Sequence, residues 1–121
     1  MEISLSDIID KKSIIQLKIE NSDNHMIKQA LKEELEEYET AIKKFKEKGI
    51  EIKDEWQDNF YKINKHQWNL ESAMNNARKE HNLKEMGKQY IEIQKSNKKR
   101  VALKNEIVKE TGMGFEDIKM N

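Results

Sequence analysis

The stretch MGKQYIEIQKSNKKRVALKNEI, residues 86–107, decides the architecture. Met86, Tyr90, Ile93, Asn97, Arg100, Lys104 and Ile107 follow one another at steps of four and three, the spacing that keeps one side of a helix turned toward a partner. Apolar residues at both ends mark this line as a buried seam, yet Asn97, Arg100 and Lys104 are polar or charged. A charge on a seam needs a partner or a route to water. The line therefore predicts either an internal polar network or a place where a small anion binds.

Working outward, the same reading gives four helices in one domain spanning 1–121. The last covers residues 83–111, opened by Asn82 with Glu85 three residues on and closed by Gly112, ahead of a tail at 112–121. The third covers 54–81, with a seam of Trp56, Phe60, Ile63, Gln67, Leu70, Met74 and Ala77. At 1.5 Å per residue each is roughly 40 Å long, a hairpin of coiled-coil spacing. The second covers 25–48, with Leu31, Leu35, Tyr38, Ile42 and Phe45 inward and Gly49 at its end. The first covers 4–21. Its Leu5, Ile8, Ile9, Ile14, Ile15, Leu17 and Ile19 occupy most of the circumference, so it is expected to pack centrally, with Lys11 and Lys18 outward. No stretch alternates with period two. The predicted fold is all-α, an antiparallel four-helix bundle dominated by its last two helices. The tail residues Phe115, Ile118 and Met120 are expected to fold back on the bundle or pair with another subunit.

Composition sets the outer limits. Charged residues make up 38% and hydrophobic residues 36% of 121, a balance suited to long helices with large wet faces. There is no cysteine, which excludes disulfides and thiolate metal sites and fits a cytoplasmic setting. No apolar run approaches the length that crosses a bilayer, and lysines and glutamates are mixed rather than segregated, so no membrane role is expected. The net charge is zero but uneven: residues 1–60 carry 15 acids and 10 bases, residues 61–121 carry 8 acids and 13 bases. Halves that pack against each other account for this better than a nucleic-acid face. The basic cluster Lys95, Lys98, Lys99, Arg100 is short and has no interleaved aromatics.

A second stripe borders the seam of the third helix: Tyr61, Asn64, Trp68, Glu71, Asn75, Arg78. Trp68 either packs against a neighbouring helix or lines a semi-enclosed pocket where Glu71 meets Arg100 or Lys104. Three segments then resemble one family in order. Ile9, Asp10, Lys11, Ser13, Ile14, Lys18 and Glu20 match a Leu-Asp-Lys-x-Thr-Ile-x-x-x-Lys-x-Glu signature. Asn64, Trp68 and Glu71 match Asn-x-x-x-Trp-x-x-Glu. Asn97, Arg100, Lys104 and Ile107 match Asn-Asp-x-Arg-x-x-x-Lys-x-x-Ile. Together they resemble a family of small bacterial and phage helical proteins catalogued only as a domain of unknown function. The resemblance implies a helical fold and marks Asp10, Lys11, Asn64, Trp68, Glu71, Asn97, Arg100 and Lys104 as a candidate polar or anion site. The chain departs from the pattern at Ser72, Asn75, Gln94 and Lys98, where the family has an acid, Arg, Tyr and Asp.

Enzyme chemistry has one pattern in its favour. Glu33, Glu34 and Glu37, followed by Glu55 and Asp58, resemble the acidic motif of MazG-type nucleoside triphosphate pyrophosphohydrolases, and carboxylates on two facing helices can hold magnesium against a triphosphate. That alternative requires Glu34, Glu37, Glu55 and Asp58 to converge; a solvated acidic face is the plainer expectation. The first helix faintly resembles all-helical chorismate mutases, but only Arg78 and Arg100 exist to hold a dicarboxylate. His25, His66 and His81 lack the spacing of a shared metal site. The expectation is a non-catalytic interaction or scaffold protein, without cofactor, that self-associates or binds a protein partner.

Overall fold

A computed structural model describes residues 4–112, and the expected tail contacts of Phe115, Ile118 and Met120 lie outside them. Four helices follow in chain order: α1 Leu5–Glu20, α2 His25–Glu47, α3 Asp54–Lys79 and α4 Leu83–Thr111. The caps explain the starts. Ser4 Oγ accepts from the Asp7 backbone N–H, Asn24 from that of Ile27 and Asn82 from that of Glu85, each satisfying a donor that the first turn leaves open. α3 begins without a side-chain cap, but Asp54 and Glu55 place negative charge at the positive end of its dipole. Gly49 and Gly112 follow α2 and α4 with positive φ of 91° and 71°. α3 stops two residues before the expected His81. That residue itself adopts φ 55°, because the chain must reverse within three residues to start α4.

The all-α four-helix bundle is as expected. α3 packs along α4, and α1 touches α2, α3 and α4, which makes it the central helix. The deepest packing lies at one end, where Leu5, Ile8 and Ile9 of α1 meet Ile42 of α2, Trp56 and Phe60 of α3, and Leu103 and Ile107 of α4. Burying a side chain such as Phe60 contributes roughly 1.5–3 kcal/mol. α1 has 16 residues against 29 in α4, so at about 1.5 Å per residue the α3–α4 hairpin runs well past it. Beyond α1 the two helices form an arm two helices thick.

The seam of α4 is displaced from the expected line. Ser96, Leu103 and Ile107 are buried, Met86, Gln89, Ile93 and Arg100 are half-buried, and Tyr90 and Asn97 are exposed. The buried line is thus 86, 89, 93, 96, 100, 103, 107, and Lys104 sits at its edge. Leu103 supplies the apolar contact, and Ser96 is small enough to fit beneath the facing helix.

His81 holds a conformation that costs an L-residue roughly 1–2 kcal/mol and glycine almost nothing. His81→Gly is therefore expected to raise stability by about 0.5–1 kcal/mol, part of the gain being lost to a freer unfolded chain. Urea denaturation measures it, and a fall in the midpoint would contradict the account.

Candidate functional site

Just above the apolar end, α1 turns a carboxylate inward. Asp10 is 1% exposed, and a charge there stands only if donors replace its water. They come from two other helices. Asn64 Nδ2 of α3 donates to Asp10 Oδ1 at 2.8 Å and lies 2.7 Å from Ser13 Oγ, to which it also donates. From α4, Arg100 Nε and Nη2 approach Asp10 Oδ2 at 3.0 and 2.9 Å, and Lys104 Nζ at 3.2 Å. Ser13 Oγ in turn donates to the Asp10 carbonyl at 2.7 Å. Lys104 also reaches Asp7 Oδ1 at 2.8 Å, one turn back on α1. Two carboxylates meet two cations, so the network is neutral as it stands.

Asp7 is held below the usual carboxylate range. Burial alone would push it up, but the hydrogen bonds from Lys104 and Ser4 outweigh that, with the charges of Lys104 and Lys11 adding to them. Its side chain remains 42% exposed, so water screens much of the attraction.

Of the eight residues marked by sequence, Asp10, Asn64, Arg100 and Lys104 are brought together. Trp68 is half-buried beside them and lines a cleft of about 250 Å³ with Leu17, Lys18, Gln67, Glu71 and Arg100. Two expectations need correcting, those for Asn97 and Glu71. Asn97 faces outward, because the α4 seam runs through Ser96. Lys11 is exposed, one position round α1 from Asp10, on the outward face expected for it. Glu71 is exposed at the cleft rim and makes no ion pair with Arg100 or Lys104 among the described residues, because Arg100 is drawn toward Asp10 on α1. Trp68 thus borders a cleft with Glu71 and Arg100, while Lys104 points elsewhere, toward Asp7. Gln67 Oε1, in the α3 seam, is buried and accepts no hydrogen bond among the described residues.

The sequence offers Asp7 as a capping partner of Ser4 and not as part of the polar site, although its place three residues before Asp10 sets both on one side of α1. Sequence reading also passed over a larger cleft of about 490 Å³ between α1, α2 and α3, lined by Gln16, Ile19, Glu20, Leu35, Asp58 and Tyr61 among others. There Tyr61 Oη donates to Glu20 at 2.6 Å; that hydrogen bond raises the Tyr61 pKa, with desolvation and the Glu20 charge adding to the rise.

The convergence that magnesium chemistry requires is not formed. Glu34 is half-buried and accepts from Tyr38 Oη at 3.4 Å, while Glu37, Glu55 and Asp58 are exposed. Among the described residues no three acidic, histidine or cysteine side chains come close enough to hold a metal ion. Like charges spread along two helices turn to water instead. Among the described residues no helix is long and apolar enough to cross a membrane. Comparison with protein-family models, with curated proteins and with solved structures found no match to this chain.

Two outcomes test the network. Arg100→Met is expected to cost about 1–2 kcal/mol while leaving the fold intact, because Lys104 and Asn64 still hold Asp10. Adding Lys104→Met is expected to cost more than the sum of the single changes, since the carboxylate is then buried without a cation. A double-mutant cycle in urea reads this, and strict additivity would show that Asp10 does not couple the two. The Asp7 shift has a definite sign. A lowered folded pKa contributes stability above the unfolded value near pH 4, and that stability is lost as pH falls through the folded value. Asp7→Asn is therefore expected to be less stable at neutral pH and to lose less stability than the parent between about pH 5 and pH 2.

Proposed function

We propose that this chain is a non-catalytic helical interaction protein that acts by assembling with other protein surfaces in the cytoplasm. The observation carrying this reading is that the charges turned inward between α1 and α4 are mutually satisfied. Asp7, Asp10, Arg100 and Lys104 pair with one another, so each charge in the network has an opposite charge as partner. Meanwhile large apolar side chains stand in solvent on α2 and α4, among them Met26 and Tyr90. The cysteine-free composition suits a reducing compartment.

Any small-anion site belongs to the cleft beside Trp68, where Lys18 and the outer side of Arg100 supply positive charge. An anion there competes with Asp10 for Arg100 and meets Glu71 at the rim, so binding is expected to be weak. Inorganic phosphate titrated against Trp68 fluorescence, with Trp56→Phe removing the buried second tryptophan, measures it. Saturation in the micromolar range, lost in Lys18→Ala, would make ligand binding part of the function.

The competing reading is a magnesium-dependent nucleoside triphosphate pyrophosphohydrolase. Pyrophosphate release from each common nucleoside triphosphate with magnesium separates the two. No turnover above a protein-free control is expected. Release abolished by Glu34→Gln and Glu55→Gln would overturn the non-catalytic reading.

A further inference from the structure

We propose that the outer side of α4 between Leu83 and Val101 is the surface on which a second copy of this chain docks its α2. This rests on the reading as an interaction protein and names both surface and occupant. Leu83, Tyr90, Ile91 and Val101 are 79, 57, 54 and 49% exposed. Leu83, Tyr90 and Val101 share one line with Gly87, Gln94 and Asn97, at steps of four and three, one position round from the buried seam. That line carries no charge over about 27 Å of helix, in a chain where 38% of residues are charged. Gly87 has open space where a side chain would stand, so a second helix can approach closely there.

The flanking charge says what fits. The exposed charges on α4 from Leu83 to Val101 are all lysines, at 84, 88, 95, 98 and 99, whereas Glu85 and Glu92 are half-buried, Glu92 pairing with Lys95 at 3.4 Å. Two such faces laid together would oppose like charges, which disfavours α4 against α4. The complementary face exists on the same chain. Met26, Ala30, Glu33, Glu37 and Thr40 of α2 form an exposed line of the same spacing. All exposed charges from Glu33 to Glu39 are glutamates, at 33, 36, 37 and 39. Within one molecule α2 packs on α1, which leaves its acidic side and the lysine side of α4 both uncovered. They are brought together between molecules. A reciprocal pairing, α2 on α4 twice about a two-fold axis, closes as a dimer, whereas a single pairing would propagate as a chain of copies.

The experiment is sedimentation velocity of the full chain from low micromolar to near-millimolar concentration, at about 50 and 500 mM salt. Self-association is expected, weakened about tenfold or more by the higher salt. Ile91→Asp should abolish it with helix content unchanged. One charge-reversed chain carries Lys84→Glu, Lys88→Glu and Lys95→Glu; another carries Glu33→Lys, Glu36→Lys and Glu37→Lys. Each should be monomeric alone, and their equimolar mixture should assemble, because each then meets a face of opposite sign. Assembly lost in Ile91→Asp, kept by both reversals and not weakened by salt would mean that α4 pairs with α4, overturning the proposal. A monomer at every concentration would overturn it as well, and so would single-stranded oligonucleotide binding that the lysine reversal removes without any assembly. None of these outcomes is magnesium-dependent hydrolysis, so failure of this docking and failure of the non-catalytic reading remain distinguishable.

Discussion

The structure turns on a carboxylate taken out of water. Asp10 sits on the helix that touches the other three, and its two oxygens are filled by an amide from α3 and two cations from α4. An isolated ion at such depth is strongly unfavourable, so the position of α1 against the hairpin is tied to the presence of those donors. The apolar residues of α1 do not fix that position alone. They cover most of its circumference and would accept several rotations and slides. A charge with three named partners accepts one. An apolar replacement of similar volume would often be as stable, which points to register as what the network secures. Ser13 illustrates the fit: its small hydroxyl lets Asn64 come close enough to bridge it and the carboxylate.

The same arrangement divides the molecule by kind of surface. Around Trp56 and Phe60 four helices contribute to one apolar core, and charge there is confined to its margin. Past α1, the seam between α3 and α4 buries the small Ala77 but leaves Met74, Met86, Gln89 and Ile93 only half-buried. Methionine fills irregular gaps with little geometric demand, and glutamine adds polar atoms that want partners. A two-helix arm of this composition leaves apolar area uncovered, which is what an association surface needs and a self-contained core does not.

Most of the fold was legible because local signals and the global packing agree. Asn24, Asn82 and Ser4 announce helix starts through side chains that accept from the backbone three residues on, and the glycines after α2 and α4 mark their ends. The α3 seam from Trp56 to Ala77 was read correctly in register. The α4 seam was not, since two heptad-spaced lines share Met86, Ile93, Arg100 and Ile107 and differ by one position between them. The line through Tyr90, Asn97 and Lys104 was read from its spacing and apolar ends, which the line through Gln89, Ser96 and Leu103 satisfies equally, whereas packing followed the room available. Arg100 lies on both lines and reaches Asp10 directly, and Lys104 still reaches it because a long cationic side chain bends inward from the edge of a buried line. Glu71 could not be placed by periodicity, because the stripe through Asn64 and Trp68 has meaning only as far as α1 extends alongside it.

The unequal lengths of α1 and the hairpin also set how the molecule breathes. Backbone hydrogen bonds near Phe60 and Ile107 lie beside the apolar core, where α1 packs on both α3 and α4, and are expected to be the last to open. Those around the turn at Glu80 to Asn82 are shielded by one neighbouring helix. The tip of the arm can therefore fray and re-form many times while the opposite end stays shut, and amide protons would leave the chain in a gradient running from the turn toward Asp10. A partner that settles on α4 would flatten that gradient, converting loosely held residues into part of the closed body.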